Sequence, residues 1–396
     1  MTTADAIPQI DTDALPMGDS RDQAWRATQV APLIAIADGY AVTTRRGAEA
    51  VLKHPDPFSS AKAFDMLQSP VPLVPIAYDP PTQTRYRHIL QPFFSPRVIK
   101  PMEAELRRQV SALIDPIARR GHCDFVGEVA QIFPIQAFLT FFGLPLEMRD
   151  QFWGWKNAVI GLTGAGFAAE SDAAQEGIKK ALEMYTYFTE LIPQRRGAGG
   201  DDVLSQILAK QPPDDLTDPE AVGLCFLFVL AGLDTVTDTL GCGMQRLAEC
   251  PDKRQEIIDD PALIPAAVEE LVRLDPPAPF IPRVTSADAE IESVRLPPET
   301  RVSTYLGAAN RDPAVFENPH DIDFHRPENP HISFGMGPHR CLGSHLARLE
   351  LGILYEEWHK RIPHYRIKPG TTPKVHWPRG TVGLESLHLE FDKAEE

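Results

Sequence analysis

The segment from residue 217 to about residue 247 constrains the fold of this chain more than any other. Thr217, Pro219 and Glu220 form a helix start of capping-box type. In that motif the threonine and the glutamate three residues later satisfy each other's backbone N–H groups. The helix that follows can run to about Leu247, roughly 45 Å at ~1.5 Å per residue, long enough to cross a whole domain. Its centre is apolar on all sides, which marks a buried helix.

The flanking sequence supplies elements to surround it. From about residue 102 to 192, helix follows helix, broken by short turns. Asp260-Pro261 starts another helix, which ends before Pro276-Pro277. Asp79-Pro80-Pro81 opens one more, with Asp79 as the expected cap. The stretch 70–81 before it is too proline-broken for a helix. Short strands are expected near residues 40–44, 301–305 and 387–391. The fold class is therefore mainly α with a small β portion. A chain of 396 residues normally suggests two or more domains, yet no clean linker divides this one, and Gly197-Ala198-Gly199-Gly200 reads as a loop. We expect residues 1–20 to be a polar, loose lead and residues 21–396 to be a single domain.

The chemistry concentrates in Phe334-Gly335-Met336-Gly337-Pro338-His339-Arg340-Cys341-Leu342-Gly343. Leu342, Leu346, Leu349 and Ile353 mark a helix that starts beside the cysteine. A thiol just before a helix N-terminus faces backbone N–H groups and the positive end of the dipole, which favours its thiolate. Gly335 and Gly337 permit sharp turns, and Gly343 lets a bulky flat ligand approach the backbone. A lone cysteine is more often a buried structural residue; the glycine-rich setting argues for a thiolate presented to one large cofactor.

Six of these ten positions match Phe-Gly-x-Gly-x-His-x-Cys-x-Gly, and the loop resembles the haem-ligand loop of the cytochrome P-450 monooxygenases. The resemblance covers most of the chain, from Asp79 to Phe391. It implies the cytochrome P-450 fold with the long helix crossing the haem. It also implies haem b (iron protoporphyrin IX) held by Cys341 as axial iron ligand, the thiolate pushing electron density to favour O–O cleavage. Ala231-Gly232-Leu233-Asp234-Thr235 is similar to the family's Ala-Gly-x-Asp/Glu-Thr motif. By that resemblance Thr235 lies beside dioxygen, Asp234 relays protons through ordered water, and Ala231 and Gly232 leave room against the backbone. Glu270, Arg273 and Arg326 match the family's structural ion triad. His339, Arg283 and Arg87 match positions that bind haem propionates, while Gln83 stands where a typical member has histidine. Phe334 is expected to cover the sulfur, and Gly343 to cradle the haem.

The chain carries 39 basic and 55 acidic residues, a net charge of −16. Such a surface argues against nucleic acid and anionic membranes as partners. Five scattered cysteines with no Cys-x-x-Cys spacing suit a reducing cytoplasm. There is no signal-like start, and the apolar run 222–233 is shorter than the ~20 residues a bilayer span needs. The resemblance implies a soluble, bacterial, cytoplasmic monomer that takes electrons from NAD(P)H through a reductase and an iron–sulfur ferredoxin. The ferredoxin is expected on the cysteine face, near Arg107, Arg108, Arg340 and Arg348, although each of these equally fits a solvated helix charge. The substrate pocket is expected from residues 64–78, Val229, Leu230, Leu233, residues 278–282 and residues 380–382, all mostly apolar, favouring a hydrophobic small molecule. The expected reaction inserts one atom of dioxygen as a hydroxylation or epoxidation. A peroxide-driven peroxygenase is the alternative, which retention of Asp234-Thr235 disfavours; a non-catalytic haem sensor or lipophile carrier is the third reading.

Overall fold

A computed structural model describes residues 7–18, 20–65, 69, 71–163, 172–377 and 380–393. Its axis is the α-helix Asp218–Glu249, 32 residues long and about 48 Å at 1.5 Å per residue. The capping box is formed: the Thr217 N–H donates to Glu220 Oε2 at 2.7 Å, and the Glu220 N–H donates to Thr217 Oγ1 at 3.4 Å. By length and hydropathy this helix passes as a membrane span, but 56% of its apolar window is buried inside the protein. Its apolarity is spent on core contacts. Val222, Leu224, Val229 and Leu233 pack into one hydrophobic core, while Val236, Leu240, Met244 and Leu247 pack into another.

The helices Glu103–Arg120, Phe133–Phe141, Arg149–Thr163 and Asp172–Ala198 fill the region expected to be helical. A short strand, His122–Asp124, interrupts them and pairs with His388–Phe391, which also pairs with Tyr365–Ile367. The main sheet has five strands in the order Leu33–Ile36, Gly39–Val42, Arg301–Tyr305, Phe280–Thr285, Phe58–Ser59. A hairpin of Val375–His376 and Gly383–Leu384 lies against the central helix.

Two expectations about the N-terminal third are corrected. Residues 1–6 lie outside the described residues, but residues 7–18 are not a loose lead. Gln9 bridges to Ala35, and Leu15 and Met17 are buried in a cluster with Trp25 and Tyr305. A few apolar residues in a polar stretch are enough to anchor it once a sheet edge is near. Asp79 does not cap the helix Thr82–Leu90, whose N-cap is Pro81. Its carboxylate instead accepts from the Ser60 N–H at 2.8 Å and from Ser59 Oγ, tying the proline-rich stretch to the start of the helix Ser60–Asp65.

Candidate active site

The cysteine loop is shaped by its own backbone. Gly335 and Gly337 have φ of +68° and +65°, a region that disfavours residues with a Cβ. At Gly337 a Cβ would also meet the Leu52 carbonyl oxygen at 2.2 Å. The Gly335 N–H donates to the Ile332 carbonyl at 2.8 Å, and the Cys341 N–H donates to the Phe334 carbonyl at 2.7 Å. These bonds close the loop and set Cys341 ahead of the helix Ser344–Arg361.

A cavity of about 310 Å³ lies between this loop and the central helix, bounded by Cys341, Gly343, Phe334 and His339 on one side and Ala231, Gly232 and Thr235 on the other. Cys341 is exposed only in the sense that it opens onto this space. Its thiol is remote from bulk water, so burial pushes its pKa up. The Gly343 N–H and the charges of Arg87, Arg340 and Arg348 pull the other way without prevailing. A buried thiolate here calls for a cation to ligate.

The residues around the cavity fit a flat, dianionic cofactor. No atom lies within 4 Å of a Cβ built on Gly232, and a Cβ on Gly343 would meet only Cys341 Sγ, at 4.0 Å. At one edge Arg87 and His339 line the cavity with Arg283 close to His339, and the Asp79 carboxylate lies within electrostatic reach of Arg283 and His339. Arg283 is 3% exposed and donates only to the Pro282 carbonyl. Arg87 donates to the Arg340 carbonyl at 2.7 Å. Neither arginine has an ion-pair partner among the described residues. The ring nitrogen Nε2 of His339 is buried with no partner. Burial, aided by the charges of Arg283 and Arg87, lowers the His339 pKa to about 4, and burial lowers that of Arg283 to about 10. A buried guanidinium without an ion pair, such as Arg283, is costly, and carboxylates at this edge would relieve that cost. Gln83, like Arg283, stands behind the residues that line the cavity. It is buried and donates to the Pro338 carbonyl at 2.6 Å. Through that bond Gln83 supports the loop that holds the cysteine.

On the central helix Thr235 lines the cavity, its Oγ1 donating to the Ala231 carbonyl at 2.9 Å. Asp234 points away. Its Oδ1 lies 2.5 Å from Nζ of Lys156, a residue of the helix Arg149–Thr163 whose side chain is 3% exposed. Burial raises the Asp234 pKa, Lys156 opposes this, and Asp238 adds to it; the net shift is upward. Lys156 had no sequence signal, because it lies 78 residues from Asp234.

The three ionic residues are together and sealed. Glu270 and Arg273 are fully buried and joined by two hydrogen bonds of 2.8 Å, and Arg326 Nε reaches Glu270 Oε1 at 3.0 Å. The expected basic patch is largely neutralised. Arg107 pairs with Glu103, Glu356 and Glu357, and Arg108 with Glu105. Arg348 pairs with Glu269 at 2.6 Å and lies over the Phe334 ring. Of the four, only Arg340 lacks an ion pair among the described residues. Burial pushes Glu269 up, but Arg348 and His331 more than offset it and hold its pKa at about 2 against an ordinary 4.5. A depressed carboxyl stabilises the fold fully above its unfolded pKa and loses that contribution as pH falls. Denaturation of the wild type and Glu269→Gln should therefore differ most above pH 4.5, with the gap closing toward about pH 2.

The apolar wall differs in part from expectation. Pro75, Ile76, Leu233, Ala278 and Ile281 line the cavity as expected. Val229 is in the core, and residues 380–382 stand back, the Val382 N–H donating to the Pro277 carbonyl at 2.8 Å. Residues 66–68 and 70 of the expected wall lie outside the described residues. The unexpected part is aromatic: Phe94, Phe138, Phe141, Phe142 and Phe228 all face the cavity, with Phe94 4.9 Å from Phe141 and 5.2 Å from Phe228, centre to centre. Glu350 also lines it, buried, and burial raises its pKa well above the usual carboxyl range.

A cysteine facing a cofactor-sized cavity, with unpaired cations at one edge and a threonine opposite, defines a thiolate-ligated haem pocket. The family model for cytochrome P450 matches residues 171–374. A relative from Sinorhizobium fredii, named as probable cytochrome P450 127A1, is 35% identical over 341 residues, covering 85% of this chain and 80% of its own. The steroid C26-monooxygenase of Mycobacterium tuberculosis is 30% identical, covering 86% and 91%. The crystal structure of CalO2 superposes with a TM-score of 0.87 at 28% identity, covering 97% and 98%. The chain belongs to the cytochrome P450 family, whose members are monooxygenases that bind haem b through a cysteine thiolate.

Proposed function

We propose that residues 21–396 act as one monooxygenase unit that hydroxylates or epoxidises a hydrophobic small molecule, with electrons from NAD(P)H delivered through a ferredoxin. The observation that carries this reading is an apolar, phenylalanine-lined cavity with Cys341 at one wall and Thr235 at the other. Cys341 would ligate the iron, Arg87, Arg283 and His339 would hold the propionates, and Gly343 and Phe334 would line the proximal face. When bound, haem b supplies dioxygen binding and the oxidising chemistry. The chain's own task is to exclude water, orient the substrate and move protons. The phenylalanine wall excludes water and offers ring faces and edges to an apolar ligand. Thr235 would hold a proton-bearing hydroxyl at the cavity, and Asp234, gripped by Lys156, would feed it. The names of the relatives favour a bulky apolar substrate: one is a steroid monooxygenase, another a 6-deoxyerythronolide B hydroxylase. Arg340, exposed beside the cysteine, is the cation best placed to meet an acidic ferredoxin.

An optical titration of the ferric protein against steroids, macrolides, terpenoids and fatty acids tests the substrate class. A low-spin to high-spin shift with one class names it. Thr235→Ala tests the chemistry. We expect haem content and substrate shift to be kept while the yield of product per NAD(P)H falls about tenfold, a modest share of what a lost proton donor costs. Unchanged coupling would remove Thr235 from the mechanism. Faster turnover with peroxide than with reduced ferredoxin would favour the peroxygenase instead.

A further inference from the structure

The dipeptide Asp234-Thr235 recurs one helical turn later as Asp238-Thr239, and the reading above uses only the first copy. Residues four apart share a helix face. The two threonines face the cavity, Thr239 Oγ1 donating to the Thr235 carbonyl at 2.7 Å. The two aspartates lie beside them, and neither lines the cavity. Asp238 is 3% exposed, and its Oδ2 is buried with no hydrogen-bond partner among the described residues. Its Oδ1 lies 3.5 Å from Nε2 of His376, whose side chain is 18% exposed. Gly383, the cross-strand neighbour of His376, forms the other wall. A Cβ at Gly383 would meet Asp238 Oδ1 at 1.8 Å, so the hairpin leaves room for this carboxylate only because residue 383 is glycine. A second acid in so apolar a helix is costly to bury without a use or a partner.

We propose that His376 and Asp238 form the solvent-side end of a proton path leading to Asp234, a positioning pair additional to the acid–alcohol pair. The inference rests on the monooxygenase reading above. The His376 ring takes a proton from solvent at its exposed edge. Nε2–H gives that proton to Asp238 Oδ1, and Asp238 gives it on, through water, to Asp234 one turn away. The ring is then left as the tautomer protonated at its exposed nitrogen, and loss of that proton to solvent with reprotonation at Nε2, or a flip of the ring, restores the starting tautomer, so no charge accumulates. The titratable and charged groups around Asp238 are Asp234 and Cys242 on its own helix, His376 on the hairpin and, beyond Asp234, Lys156. Asp234 is coupled to both Asp238 and His376, after burial and Lys156, in setting its protonation. Electrostatic reach therefore links His376, Asp238 and Asp234 along one side of the central helix, and water would bridge the turn between the two aspartates.

The test uses the full-length holoenzyme, a surrogate reductase and ferredoxin, and dioxygen uptake. It also uses the His376 ring-nitrogen NMR signals of the diamagnetic carbonyl-ferrous form. We expect Asp238→Asn and His376→Gln each to slow uptake about tenfold, as loss of one proton-transfer group should, and to raise the solvent deuterium isotope effect. Both should alter the pH profile between about pH 5 and 8, where a histidine changes charge. Asp238→Asn should also move the His376 ring signals, which a purely structural aspartate elsewhere would not do. His376 sits at the edge of the hairpin, so His376→Gln keeps the test readable if Asp238→Asn fails to fold. Wild-type uptake, isotope effect and pH profile in both variants would overturn the path. With Thr235→Ala still uncoupled alongside them, the monooxygenase reading would survive that loss.

Discussion

Cys341→Ser is expected to abolish the long-wavelength band of the carbonyl-ferrous protein and to reduce turnover to background. The substitution exchanges one atom, and the loop should hold. What fixes the loop is backbone: the Cys341 N–H on the Phe334 carbonyl at 2.7 Å, the Gly335 N–H on the Ile332 carbonyl, and two glycines at positive φ. None of these involves the sulfur. What changes is the ligand. A thiolate pushes electron density onto the iron and an alcohol does not. Burial already disfavours an anion at this position, and an alcohol is harder to ionise than a thiol. The variant should therefore fold, keep the cavity and take up haem weakly, held by Arg87, Arg283 and the apolar walls. Spectra of the reduced, carbonylated variant decide the matter. A retained long-wavelength band would sink the assignment of Cys341 as ligand, whatever the activity.

The parts of this site that were legible in the sequence are those whose geometry is local. The glycines of the cysteine loop are demanded by their own φ angles, and Gly337 by a neighbour's carbonyl as well. The capping box at Thr217 and Glu220 spans four residues and forms as read. The parts that were not legible depend on partners far along the chain. Lys156 looks like any helix lysine until the fold brings it to Asp234. Arg107 and Arg348 read equally as a basic patch or as solvated charges, because sequence does not show that Glu356, Glu357 and Glu269 will cross from other helices to meet them, whereas Arg108 takes Glu105 from its own helix. Asp79 read as a cap because it precedes two prolines, yet its carboxylate binds Ser60 instead. The phenylalanines of the cavity could not be told from core, since lining an apolar pocket and filling a core make the same demand on a side chain. Glu350 left one faint trace, an acid between Leu349 and Leu351 in a helix otherwise read by its leucines.

The largest expected effect on stability belongs to Arg273, and it differs from the usual behaviour of a buried ion pair. Replacing a whole buried pair by apolar residues is often neutral, because desolvating two charges costs about as much as their attraction returns. Here the pair also serves the backbone. Arg273 donates to the carbonyls of Asn310 and Pro319 at 2.9 and 2.7 Å, and lies over the Phe316 ring. Glu270 accepts from the Asp323 N–H, Arg326 and Asn329, each at 3.0 Å. Removing Arg273 leaves a fully enclosed carboxylate short of its main cation and strands the carbonyls as well. Arg273→Ala should cost at least the ~3–5 kcal/mol typical of breaking a buried pair from one side, enough to exhaust the margin of many domains. Arg273→Lys should rescue little, since a point charge cannot replace a planar fork that reaches a carboxylate and three carbonyls, those of Asn310, Pro319 and Asp321, at once. The joint replacement Glu270→Leu with Arg273→Leu separates the two accounts. If the pair were only an ion pair, the double variant would regain most of the stability. If it anchors the segment 310–329 under the cysteine loop, the double variant stays as unstable as the single one. Denaturant titrations of the three variants, with haem content measured on the same samples, distinguish these outcomes. We expect the second, with haem lost in parallel, because Asn310 Nδ2 also donates to Ser333 Oγ and its Oδ1 accepts the Ile332 N–H. That connects the Arg273 network directly to the residues that precede Phe334 and the Cys341 loop.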